Sequence, residues 1–281
     1  MLSRLRAALS RRLPAGVRRA AAGLVLDVRS LPARFRCPER RHDPWQILHN
    51  VGAGDFRAVG DDLLRVLIDH AGLQPNHCVL DIGCGAGRVA RPLAGYLARV
   101  GGYVGFDPSR RAIAGCRRRF AALRPDFRFV EADLRNPEYN ARGTLAEAAY
   151  RFPCADRSID LAFAMSVFTH MRMAPLRHYL DEAARVLKPG GRLAFTAYLI
   201  DAPARARLAD GSAGMAFAPW QDGSWVVDPD HPERAIAHDG ARVLEAVAAA
   251  GLALEGTPLP GAWRPPAAYH GWQDLVVARK G

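Results

Sequence analysis

The sequence predicts an α/β fold in which a mostly parallel sheet carries helices on both faces. Three observations carry that expectation. Short apolar runs alternate with stretches of about 10–15 residues that have helical periodicity. Asp81, Asp107 and Asp133 each follow one of the first three apolar runs. Gly83, Gly85 and Gly87 fall between the first run and the helical pattern after it. Glycine costs backbone entropy on folding, so three in five positions mark a chain that turns tightly and lets something approach its backbone.

The elements follow in order. Asp61 is expected to cap a helix whose apolar face is Leu63, Leu64, Leu67, Ile68 and Ala71, closed by Gly72. Pro75 and Asn76 turn the chain into a strand over 79–82. Beyond the glycines, Val89, Leu93, Tyr96, Leu97 and Val100 share one helical face, and Gly101 and Gly102 end it. A second strand over 103–106 runs into Asp107 and Pro108. Ser109 caps an Arg-studded helix reaching about residue 123. A third strand over 127–130 leads to Ala132, Asp133 and Leu134, and a fourth spans 159–164. Pro175 is expected at the first position of the next helix, with Leu176, Tyr179, Leu180, Ala183 and Leu187 on its inner face. Lys188-Pro189-Gly190-Gly191 stops that helix and turns into a fifth strand over 192–198. A last helix over 240–250 and strands near 253–255 and 275–278 finish the chain. Residues 135–156 and 200–239 exceed ordinary loop lengths.

The 281 residues are about half hydrophobic, enough for a sizeable core, and hold no apolar run of membrane-spanning length. The net charge of +11 is uneven: residues 1–41 carry eleven Arg against Asp27 and Glu39, a net +9. The organisation expected is therefore a basic N-terminal extension over 1–41 and one catalytic domain over 42–281. Leu2, Leu5 and Leu9 lie on one helical face among arginines. That segment reads as a surface helix against anionic lipid or an acidic partner, as a transit peptide, or as a plain extension. The near-neutral body lacks the interleaved basic and aromatic residues of a nucleic-acid track. The cysteines, Cys37, Cys78, Cys84, Cys116 and Cys154, form no C-x-x-C pair. Neither a disulfide framework nor a metal site is expected, since Cys37 with His42 falls short of a ligand set. A reducing, cytoplasmic compartment fits this usage.

The three acids would share one rim, at the carboxyl edge of the sheet, where such folds bind ligands. There the glycine loop exposes backbone and the next helix offers unpaired N–H groups. Asp107 follows Gly87 by twenty residues, the reach needed to accept bonds from two ribose hydroxyls. A dinucleotide site would show G-x-G-x-x-G/A. Here the third position is Arg88 and the pattern is D-x-G-x-G-x-G, so a nucleoside ligand without pyrophosphate fits better. Each acid has a plainer reading as well: Asp81 as a helix cap, Asp107 and Asp133 as turn residues.

Asp81-Ile82-Gly83-Cys84-Gly85-Ala86-Gly87 resembles the first motif of class I S-adenosylmethionine (SAM)-dependent methyltransferases. Gly105-Phe106-Asp107, Glu131-Ala132-Asp133-Leu134, the run 152–161 and the run 184–193 are similar to the motifs that follow it, in order, over about residues 55–200. The resemblance implies a Rossmann-like, doubly wound, seven-stranded sheet with an antiparallel last strand, and SAM as cofactor. It implies that Gly83, Cys84, Gly85 and Gly87 line the methionine portion and that Asp81 orients its amino group. Asp107 would hold the ribose and Asp133 with Leu134 the adenine, while Met165 and Ser166 would border the methionine and the acceptor.

Methyl transfer from a sulfonium needs mainly alignment, and a base only when the acceptor must lose a proton. His170, beyond the fourth strand, is the candidate base. His231 and His238, with Phe217, Trp220 and Trp225, lie in the long stretch where the family often carries its substrate cover. The activity expected is transfer of a methyl group to an O, N or C atom of a small molecule, free or linked to a saccharide or lipid. The alternatives are a nucleic-acid methyltransferase using the Arg-rich leader and a SAM-binding scaffold without turnover. The sequence leaves the oligomeric state open.

Overall fold

The computed structural model describes residues 55–135, 140 and 142–281, with the short pieces 27–28, 31–32, 35–36 and 43–44. The amphipathic leader, Cys37 and His42 lie outside the described residues, apart from those pieces of the leader.

From residue 55 onward the first element is helix α1, Phe56–Ala71. Its N-cap is Asp55, not Asp61: the Asp55 carboxylate accepts from the backbone N–H of Arg57 and Ala58, both at 2.9 Å. Asp61 sits inside the helix and pairs with Arg91. Gly72 ends α1 at φ 63°, a left-handed turn whose N–H returns to the Leu67 carbonyl. Strand β1 is Cys78–Ile82. Helix α2, Ala90–Tyr96, is shorter than its apolar pattern, so Val100 is 81 % exposed rather than on an inner face. Strand β2 is Gly102–Asp107, α3 is Arg110–Phe120 with Ser109 as its cap, β3 is Phe127–Glu131 and β4 is Ile159–Ala164. Helix α4, Met173–Val186, begins two residues before Pro175, which falls within its first turn.

Strand β5, Leu187–Ile200, is the longest. After it come α5 (Ala202–Ala209), β6 (Ala218–Pro219), β7 (Ser224–Val226), β8 (Ile236–Asp239), α6 (Gly240–Ala249), β9 (Leu252–Leu254) and β10 (Asp274–Lys280).

Strands β3, β2, β1, β4 and β5 lie side by side and parallel. Residues 192–197 of β5 pair antiparallel with β10, which in turn pairs with β9. Those seven strands are the predicted sheet, antiparallel β10 included. The described residues hold ten strands, because 198–200 of β5 also pair with β8, and β7 and β6 continue from it. Three strands of the sheet thus arise from the long stretch after β5, a stretch with no strong alternation to announce them.

Strand alternation splits the interior in two. Leu80, Ile82, Ala162, Ala164 and Phe195 face α4 and α6. Val79, Tyr103, Leu161, Phe163 and Ala194 face α1, α2 and α3. Burying one such leucine contributes roughly 1.5–3 kcal/mol. A third cluster gathers Tyr198, Phe217 and Trp263, with ring centroids 5.0–5.5 Å apart. Beneath it the fully buried Asp274 accepts bonds from Leu199 N, Gly261 N, Trp263 Nε1 and Arg264 Nε at 2.7–3.0 Å. That carboxylate ties β10 to the far end of β5.

Candidate functional site

Strands β1, β2 and β4 are parallel, so their carboxyl ends open on one edge. The glycine loop leaves β1 there. Gly83, Gly85 and Gly87 have φ of 72°, 51° and 76°, a conformation that L side chains rarely adopt. The N–H groups of Gly83 and Cys84 both donate to the Phe106 carbonyl, at 2.9 and 3.0 Å, which folds the loop over the end of β2. A Cβ on Gly87 would meet Cys116 Sγ at 3.1 Å and Phe120 at 3.2 Å, so α3 closes directly under the loop. A Cβ on Gly60 would lie 2.5 Å from the Arg88 carbonyl, so α1 presses on the loop's far end.

Asp107 is fastened by both carboxylate oxygens. One accepts from Gly85 N at 2.9 Å and the other from Ser109 N at 2.8 Å. Burial pushes its pKa up to about 6, against the lowering effect of the two N–H donors. Each oxygen keeps a second lone pair. The carboxylate can therefore take two further donors, such as a pair of hydroxyls.

Asp81 lies deeper. It is buried and accepts the Tyr103 hydroxyl at 2.7 Å. Burial is the main cause of a pKa raised to about 7, with the nearby Asp107 adding to it. Cys84 is buried too; its thiol lies over the backbone of Gly85, and a Cβ on Gly105 would meet it at 3.0 Å. Asp133 is exposed and holds Thr144, through the Thr144 N–H at 3.2 Å and the Thr144 hydroxyl. Leu134 is buried and bridges to Leu145.

On the other side of the loop, Met165 packs against the α1–α3 face, and Ser166 is exposed with φ 59°. Val167 fills the space that Gly83 leaves: a Cβ there would lie 2.6 Å from Val167 Cγ2. A 3₁₀ turn, Phe168–His170, follows. His170 is exposed, and its Nδ1 lies 2.8 Å from the Glu233 carbonyl. A carbonyl only accepts, so Nδ1 carries the proton and Nε2 is left with its lone pair.

His238 does not join the site. It is buried, with Nε2 on the Met171 carbonyl at 2.9 Å and Nδ1 near Ser224 Oγ at 3.2 Å. Burial lowers its pKa to about 4, so it stays neutral. Phe217 likewise fills the third cluster rather than a cover. His231 is exposed beside Glu233 at 3.8 Å, Trp220 stacks on Arg172 and Trp225 on Arg205.

The site also holds residues with no sequence signal of their own. Tyr103 could have been found, because alternation puts it on the face of β2 that Asp81 occupies on β1. Thr196, Gln273 and Glu233 reach the rim only through long-range pairing. Among the described residues no cluster of His, Cys, Asp and Glu could hold a metal ion.

Residues 79–191 match a family model described as a methyltransferase domain. An O-methyltransferase from Pyrenophora dematioidea is 29 % identical over 178 residues, covering 62 % of this chain and 57 % of that one. A ubiquinone biosynthesis O-methyltransferase from Rhizobium rhizogenes is 30 % identical over 191 residues, covering 66 % of each chain. The chain thus spans less than two thirds of the length of these curated relatives. In the fold comparison, the crystal structure of a SAM-dependent methyltransferase from Aquifex aeolicus aligns with TM-score 0.50 and 17 % identity, over 93 % of this chain and 98 % of that one.

Proposed function

The chain carries a class I SAM-dependent methyltransferase domain, and on that premise we propose that it methylates an O, N or C atom of a small molecule. The observation that supports this most is the pair of bonds from Gly85 and Ser109 to the two oxygens of Asp107. They hold a carboxylate open toward the rim for the ribose hydroxyls, and three left-handed glycines beside it leave backbone accessible for the methionine portion. Asp81, the Cys84 backbone, Asp133, Leu134, Met165 and Ser166 complete the proposed cofactor site. When bound, SAM supplies an electrophilic methyl group on a positively charged sulfur.

The residues of the chain then align and deprotonate. Holding the reactants in line can supply on the order of 7–11 kcal/mol. For a hydroxyl acceptor, His170 Nε2 takes the proton, its tautomer set by the Glu233 carbonyl. The basic segment 1–41 serves as a contact for anionic membrane surface, in a protein of the cytoplasm. Cys78, Cys84, Cys116 and Cys154 are free thiols, which suits that compartment. No helix among the described residues is long and apolar enough to cross a membrane.

The test is calorimetric titration with SAM, followed by incubation of the protein with labelled SAM and a host-cell extract. Micromolar binding and a labelled small molecule are expected. Binding without any labelled product would leave a scaffold, and label in nucleic acid that is lost on deleting residues 1–41 would favour a nucleic-acid substrate.

A further inference from the structure

Ser166 occupies a backbone conformation, φ 59°, that costs a residue with a side chain and is kept where the surroundings enforce it. Three contacts enforce it. The Ser166 N–H donates to Thr196 Oγ1 at 2.8 Å. The Ser166 hydroxyl donates to Gln273 Oε1 at 3.0 Å, and the Thr196 hydroxyl donates to the same oxygen at 2.6 Å. The next residue, Val167, lies against Gly83. Ser166 therefore stands between the glycine loop and the start of β10, with its side chain exposed.

The protons in this cluster are all assigned. Gln273 Oε1 has none to give, so both hydroxyl protons point at it. One lone pair of Thr196 is taken by the Ser166 N–H. What Ser166 presents to the rim is an oxygen with lone pairs and no proton. It can receive a hydrogen bond there but not give one.

Resting on the proposed function, we infer that Ser166 positions the methyl acceptor by receiving a hydrogen bond from it, and that Gln273 sets this polarity. One O–H cannot donate to Ser166 and also yield its proton to His170. The acceptor class is accordingly a molecule with two donors: the group that is methylated and a second hydroxyl that Ser166 holds.

The experiment compares catechol with guaiacol, which lacks one of the two hydroxyl protons, as ligands of protein saturated with S-adenosylhomocysteine. Dissociation constants are measured for the wild type, Ser166→Gly, Gln273→Leu and Gln273→Glu. Glycine relieves the strained φ, so Ser166→Gly keeps the fold while removing the oxygen. The wild type is expected to prefer catechol about five- to tenfold, the worth of one hydrogen bond. Ser166→Gly and Gln273→Leu bring the ratio to about one, whereas Gln273→Glu, which retains an accepting oxygen, keeps the preference. In the two Gln273 variants S-adenosylhomocysteine affinity stays within about twofold. Equal affinity for the two probes in the wild type, no binding of catechol at millimolar concentration, or a preference intact in Ser166→Gly overturns the inference. A wild type that binds no S-adenosylhomocysteine overturns instead the function on which it rests.

Discussion

The backbone N–H of Gly85 donates to the carboxylate of Asp107 at 2.9 Å, so the residue expected to hold the ribose also holds the loop expected to cradle the methionine. Replacing Asp107 by Ala removes both functions. SAM affinity should fall at least tenfold, since charge-assisted bonds contribute roughly 1.5–3 kcal/mol each. Asp107→Asn keeps one accepting oxygen and should lose less. Titration calorimetry on both variants measures the difference, and unchanged affinity in Asp107→Ala would remove Asp107 from the site.

Gly83 and Val167 form a steric pair. Gly83→Ala forces a left-handed φ on a residue with a Cβ, at about 1–2 kcal/mol, and drives that Cβ against Val167. Thermal melting should drop accordingly. Adding Val167→Ala should recover the steric part and leave the backbone part. A double-mutant cycle with no coupling would show that the two do not touch.

His170→Ala should lower turnover of a hydroxyl acceptor by about 10²–10⁴-fold, as expected for loss of a general base. SAM binding should stay unchanged. If the variant keeps the rate, the base lies elsewhere.

Stability without ligand should depend on pH in an unusual direction. Asp81 and Asp107 have native pKa values of about 7 and about 6, above the ordinary 3.8. Between about pH 4 and 7 the folded state binds more protons than the unfolded one at these positions. Their contribution is fully present below pH 4 and is lost as pH rises through 6 and 7, with a slope of up to about 1.4 kcal/mol per unit for each group. His238, lowered from 6.5 to about 4, acts oppositely: its contribution is present above 6.5 and is lost as pH falls toward 4. Denaturant unfolding of Asp81→Asn and His238→Gln across pH 4–8 separates the two. Each variant should flatten its own limb, and a wild-type curve that both leave unaltered would contradict the assignment.

Much of this architecture was legible in the sequence, because local patterns and the sheet agree. The strand over 159–164, the Ser109 cap and the Gly72 stop appear where their residues demand them. The start of α1 was less clear, because the apolar face begins at Leu63 while the helix begins about two turns earlier, behind an equally good cap at Asp55. Val100 misleads because Gly101 is drawn against the His77 and Pro75 carbonyls, which ends the helical region early. The candidate cofactor residues are consecutive in motifs and so can be read. Ser166, Thr196 and Gln273 come together only once β10 docks antiparallel on β5, and no spacing encodes that.

Strand β5 pairs with β10 along 192–197 and with β8 along 198–200. The excursion from α5 to β8 thus joins the sheet through three residues at the tip of one strand, beyond the register that builds the main sheet, while Phe217 packs on Tyr198 and Trp263 and the Glu233 carbonyl meets His170. A chimaera that exchanges residues 201–235 but keeps Phe217 and Glu233 leaves the pairing of β1 to β5 and β10 intact, so selectivity on that side of the rim can diverge while the scaffold is inherited unchanged.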